Sequence, residues 1–90
     1  MNWRVDLSKD AQKQILKLPR EVQSRVERAI NEFETKDESR WTNVKALQGS
    51  RWKGYYRKRL GDYRIIFEKS HNHGIVEISA VLVKSKDTYR

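Results

Sequence analysis

Arg57, Arg59 and Arg64 are the residues of this 90-residue chain best suited to chemistry, because guanidinium groups fit phosphate oxygens bidentately and stabilise charge that grows on them. Their spacing brings them together. Residues 55–60 and 63–69 read as two strands joined by the two-residue turn Gly61-Asp62. With Leu60 opposite Tyr63, the pairing sets Arg59 against Arg64, Lys58 against Ile65, Arg57 against Ile66 and Tyr56 against Phe67. Side-chain alternation then leaves the three arginines on one face. Like charges directly opposite one another weaken a sheet, so the Arg59/Arg64 pair implies an anion to hold, and a phosphodiester backbone fits. Removing Arg64 is expected to relieve this repulsion and to lose no core contact. The matching chemistry is RNA cleavage by the ribose 2′-hydroxyl. It requires loss of the 2′-oxygen's proton, stabilisation of the charged phosphorane and protonation of the leaving 5′-oxygen. The arginines serve the second requirement. Spacing alone puts no histidine or carboxylate on their face, so Lys, Tyr or Arg would have to move the protons.

Charge is distributed to the same effect. Residues 1–39 carry 8 basic and 8 acidic side chains, residues 40–69 carry 9 and 2, and residues 70–90 carry 3 and 2, so the net +8 lies almost wholly in the middle third. Such localisation marks one face for a polyanion, with Lys53, Lys58, Lys84 and Lys86 expected as further nucleic-acid contacts. A solvated basic surface and a surface covered by an acidic protein partner are the competing readings. The absence of cysteine excludes a disulfide framework, a thiolate zinc site and a cysteine nucleophile, and is consistent with a reducing cytosol. His71 and His73 stand two apart in a predicted turn without a set of further ligands, so no metal site is expected. No Gly-rich phosphate loop, Gly-x-Ser-x-Gly elbow or His-Glu-x-x-His is present, and no cofactor is needed to explain the chain. Trp3, Trp41 and Trp52 are read as core or interface in preference to base-stacking platforms.

These residues must be positioned by one domain spanning 1–90, just large enough to bury a single modest core. Trp3, Val5 and Leu7 alternate with Arg4 and Asp6, the pattern of a half-buried strand. Ser8 reads as a helix cap, followed by the stripe Ala11, Ile15 and Leu18, which predicts about three turns ending at Pro19. Pro19 opens a second helix with Val22, Val26, Ala29, Ile30 and Phe33 along one side. Residues 41–54 read as a connection with a short extended piece at 44–47. After the hairpin and a loop at 70–74, residues 75–83 are β-branched and apolar, suited to a well-buried strand. The prediction is an α+β fold: an N-terminal strand, then a two-helix hairpin packed on one face of a mainly antiparallel sheet ending in a three-strand meander, the other face open. The N-terminus lacks an apolar h-region and no run approaches the roughly 18 apolar residues of a membrane span, so a cytoplasmic, non-membrane protein is expected.

The order of these elements, Leu47-Gln48-Gly49, the run Tyr56-Arg57-Lys58-Arg59-Leu60 with Gly61-Asp62-Tyr63-Arg64-Ile65-Ile66-Phe67, and the ending Lys86-Asp87-Thr88-Tyr89 together resemble the RelE/ParE superfamily of bacterial toxins over nearly the whole chain. The hairpin is the most specific part. The resemblance implies a RelE-like fold and a toxin neutralised by a cognate antitoxin. Toxins of the RelE branch are ribosome-dependent endoribonucleases that cut mRNA, whereas those of the ParE branch inhibit DNA gyrase. Position by position, it implies Arg64 as the phosphate-stabilising arginine, Arg57 and Arg59 as the strand cations of ribosome-dependent cleavage, and Tyr89 as the tyrosine that orients the RNA. The sequence departs from the pattern at Val83, where RelE toxins usually carry a second arginine, and at Gln48, where several members are basic. An mRNA-cleaving toxin acting on the ribosome is therefore expected. The alternatives are a ParE-like gyrase inhibitor without catalytic activity, a catalytically weakened member, and a nucleic-acid-binding module with no toxic role.

Overall fold

The computed structural model describes residues 3–83, with the element order β1 (Arg4–Leu7), α1 (Lys9–Leu16), α2 (Arg20–Thr35), β2 (Val44–Ala46), β3 (Tyr55–Leu60), β4 (Tyr63–Ser70) and β5 (Ile75–Val83). The strands form one sheet in the order β1-β5-β4-β3-β2, parallel between β1 and β5 and antiparallel elsewhere. Both helices cover one face of it, as the α+β reading required.

Ser8 caps α1 by accepting the Ala11 N–H at 3.0 Å, and its hydroxyl donates to the Ser79 carbonyl at 2.9 Å, so one side chain starts the helix and ties it to β5. The helix is shorter than its stripe predicted. It stops at Leu16, where the Lys17 and Leu18 N–H groups turn to carbonyls three residues back. Pro19 disfavours helical geometry at Leu18 and the last turn tightens before it, while the Gln23 amide donates to the Leu18 carbonyl left over. Leu18 still packs on the core. In α2, Val22, Val26, Ala29 and Phe33 are buried as their period implies.

The core is aromatic at one end. Phe33 lies between Trp41 at 4.8 Å and Phe67 at 4.9 Å, and Trp3 meets Trp41 edge-on at 5.4 Å. Trp3 and Trp41 are thus core residues, and Trp52 is half-buried against Tyr55. β5 departs from simple alternation. A bulge at Ser79 makes Phe67 pair with Ile78 while Ile66 pairs with Ala80, and this one-residue insertion lets Val76, Ile78 and Val81 all face the helices.

Candidate nucleic-acid interface

The hairpin has the register read from the sequence, with Leu60 opposite Tyr63, Arg59 opposite Arg64 and Arg57 opposite Ile66. Tyr56, Leu60, Tyr63, Ile65 and Phe67 pack beneath the helices, so Arg57, Arg59 and Arg64 stand on the helix-free face. Lys45 of β2, opposite Arg57, joins them. The three arginines are held differently. Arg59 is exposed; Arg57 is half-buried and its Nη1 donates to the Asn43 carbonyl at 3.0 Å. Arg64 is only 4% exposed, and its Nη1 donates to the Gly61 carbonyl at 2.6 Å and the Tyr63 carbonyl at 2.9 Å. Its guanidinium is therefore fixed against the turn at little entropic freedom, and replacing it does lose buried contacts, contrary to the expectation above. Among the described residues none of the three forms an ion pair with a carboxylate. The face keeps its cationic charge available.

Lys58 is a correction. Alternation turns it to the opposite face, where it is 4% exposed, ion-paired with Glu32 of α2, and donating to the Thr42 carbonyl at 2.6 Å and Thr42 Oγ1 at 3.2 Å. A lysine beneath α2 needs a buried carboxylate partner, and having one it is not a cation of the arginine face. Burial by itself raises the Glu32 pKa, but hydrogen bonds from Lys58 and Thr42 and the Lys58 charge outweigh it, holding the carboxyl below its ordinary value. Lys53 is exposed after a short 3₁₀ turn, Ser50–Trp52. Lys84, Lys86 and Tyr89 lie outside the described residues, and Val83, at the position of the missing arginine, is 59% exposed.

The same face carries a second, oppositely charged row that the sequence did not disclose. Asp6 of β1 is in register with Glu77 of β5, which is in register with Glu68 of β4. These residues are distant in sequence and meet only because β1 adds in parallel beside β5. The face is consequently two-signed, arginines toward the β3–β4 turn and carboxylates toward the other end. In the turn between β4 and β5 His71 Nε2 lies 3.1 Å from Glu38 and its ring packs on Trp3, whereas His73 meets Ser70. Among the described residues no group of three or more His, Cys, Asp and Glu is arranged to hold a metal ion. Also among them, no helix is long and apolar enough to cross a membrane.

Two helices on one side of a five-strand sheet, with a guanidinium ribbon on the other side, make up a RelE-like α+β fold. The family profile described as ParE toxin of the type II toxin-antitoxin system parDE matches residues 5–88. The chain belongs to that family, within the RelE/ParE superfamily of type II toxins. Its structure is similar to a chain of the RelBE2 toxin-antitoxin complex from Mycobacterium tuberculosis, with a TM-score of 0.71 and 26% identity over 93% of this chain and 100% of that one. A chain of the archaeal RelE-RelB complex from Pyrococcus horikoshii shares the fold, with a TM-score of 0.71 and 24% identity over 96% and 99%. So does a chain of the intact Escherichia coli RelBE complex, at 0.67 and 16% over 93% and 99%. No curated protein sequence matches the chain.

Proposed function

We propose that this toxin is a ribosome-dependent endoribonuclease of the RelE kind, acting on mRNA in the cytoplasm and neutralised by a cognate antitoxin that covers the arginine face. The observation that carries the reading is the set of three guanidinium groups on one sheet face, two of them anchored to backbone carbonyls and none engaged by a carboxylate. In this reading the 2′-oxygen attacks the adjacent phosphorus, the bond to the 5′-oxygen breaks, and a 2′,3′-cyclic phosphate and a 5′-hydroxyl result. Arg64, preorganised against the turn, stabilises the phosphorane, Arg57 and Arg59 hold the flanking backbone, and Lys53, Lys84, Lys86 and Tyr89 extend the contact. The arginine end of the face contributes charge; the carboxylate nearest to it in sequence, Asp62, is exposed in the turn, and in this reading the rate enhancement rests on electrostatics and positioning. A message already held in a bent, fixed path by the ribosome suits such a site. The carboxylate row repels a phosphate backbone and confines it to the arginine end.

A second reading is supported by the ParE family profile and by Val83 in place of the second arginine: gyrase inhibition without chemistry. Primer extension on a translated message after induction separates the two. Fragments ending inside codons together with halted protein synthesis are expected. Intact transcripts during growth arrest, with DNA-damage responses rising first, would transfer the assignment to the gyrase reading.

A further inference from the structure

We propose that the cleft between α2 and the end of β3 is a second phosphate-binding site, taking one phosphodiester of the RNA strand whose neighbouring phosphates lie on the arginine face. The assignment rests on the RNA reading above. The cleft encloses about 220 Å³ and is lined by Arg25 and Arg28 of α2, Lys58 and Arg59 of β3, and Glu32 and Thr42 between them.

Charge in the cleft is unbalanced for an identifiable reason. Glu32, at i+4 from Arg28, would ordinarily pair with it along the helix. Instead the Glu32 carboxylate accepts from Lys58 Nζ, from the Thr42 N–H at 3.2 Å and from Thr42 Oγ1 at 3.0 Å. The Lys58–Glu32 pair neutralises itself, and among the described residues Arg28 and Arg59 have no carboxylate within ion-pair distance. Arg25 is positioned from two sides. Its Nη2 holds Glu21 at 2.8 Å, and its Nη1 stands 3.1 Å from where a Cβ on residue 61 would lie, a place left open because that residue is Gly61. Two guanidinium groups, Arg25 and Arg28, therefore flank a concave space whose Lys58 and Glu32 offset one another, with Glu21 beside Arg25, and an excess of positive charge in a concave surface concentrates the field on an anion. The fork of a guanidinium fits the two free oxygens of a phosphodiester. Arg59, whose side chain stands on the arginine face in register with Arg64, borders this cleft, so a strand passing the β3–β4 turn meets the two places in succession.

Fluorescence anisotropy of a labelled single-stranded RNA with the full-length protein, at several salt concentrations, tests the site. Arg28→Gln should weaken binding and lower the slope of log K against log salt by about 0.7, the amount for one phosphate contact to a single strand, with melting unchanged and Arg28→Lys restoring the slope. Amide shifts of Thr42 and Asn43 should move with RNA at concentrations where inorganic phosphate has no effect. A parental slope in Arg28→Gln with a reduced slope in Arg57→Gln overturns the cleft and keeps the RNA reading. Parental slopes in both overturn the RNA reading itself. Equal shifts with inorganic phosphate, together with parental RNA affinity in Arg28→Gln, make this a site for a free anion and overturn the proposal.

Discussion

Lys58→Met should be among the most damaging single substitutions on the sheet. The Lys58 ammonium spends its three protons on Glu32, the Thr42 carbonyl and Thr42 Oγ1, in a position 4% exposed. Deleting one member of a buried pair costs about 3–5 kcal/mol, because the other is left charged and uncompensated. For Lys58→Met the lower end applies, about 3 kcal/mol by the same measure, since Glu32 keeps both donors from Thr42 and its side chain is 14% exposed. A domain of this size loses roughly 4–8 °C of melting temperature per kcal/mol, so the midpoint should fall by about 12–24 °C. Glu32→Gln should cost as much or more, because it strands the ammonium. The double variant should return toward the parent, as apolar or neutral replacements of buried pairs do. Circular-dichroism melts and urea titrations of the four proteins at pH 7 give the coupling energy directly. A Lys58→Met protein melting within about 4 °C of the parent, or a double variant as weak as the singles combined, would refute the account of Lys58 as a buried, paired cation.

The paired carboxylates set the acid response. Burial raises the pKa of Glu38 as it does that of Glu32, but the Lys69 and His71 contacts outweigh it, and both groups sit below their ordinary 4.5. Depressed folded values mean that their stabilisation is complete above about 4.5 and is lost as pH falls through the lower folded values, so urea midpoints should hold from pH 7 to 5, drop below, and drop less in the Lys58→Met/Glu32→Gln double variant. Arg64→Ala should cost about 1.5–3 kcal/mol through its lost bonds to two carbonyls, and slow single-turnover cleavage by roughly 10²–10³. Arg59→Ala should instead gain about 0.2–1 kcal/mol by relieving the like-charge pair; equal effects on stability from both would contradict the different burial of the two. Gly61→Ala should cost about 1 kcal/mol, since φ is +62° there and the new Cβ would press on the Arg25 guanidinium, and parental urea midpoints would count against both constraints.

The hairpin was legible because a two-residue turn leaves one register and alternation then assigns every side chain. Lys58 was legible in part: the same alternation that grouped the arginines turned it away from them, yet its charge alone marked it as a nucleic-acid contact. Its partner offered a signal, because Glu32 falls three residues after buried Ala29, on the flank of the apolar stripe of α2. The carboxylate row was not legible. No local turn connects β1 to β5, so nothing in sequence fixes the parallel register that sets Asp6 beside Glu77. Nor does the run at 75–83 announce its bulge, since apolar residues on consecutive positions are compatible with burial on either face. The cleft arose from the same limit, Arg25 and Arg28 having been read within a charge-balanced helical segment whose distance to Arg59 only tertiary packing defines.

The place of β5 in the sheet has a consequence for biosynthesis. It follows the other described strands in the chain, yet it lies between β1 and β4, supplies Val76, Ile78 and Val81 to the core, and receives α1 through Ser8 and Gln14. Until β5 has emerged, β1 has no neighbour, the helical stripes have no complete floor, and β2, β3 and β4 make up only part of the sheet. A nascent copy therefore cannot close its core before β5 emerges, and until then it holds local helices and a partial sheet. Chains terminated before β5 enter the pool of incompletely folded polypeptide that proteases clear.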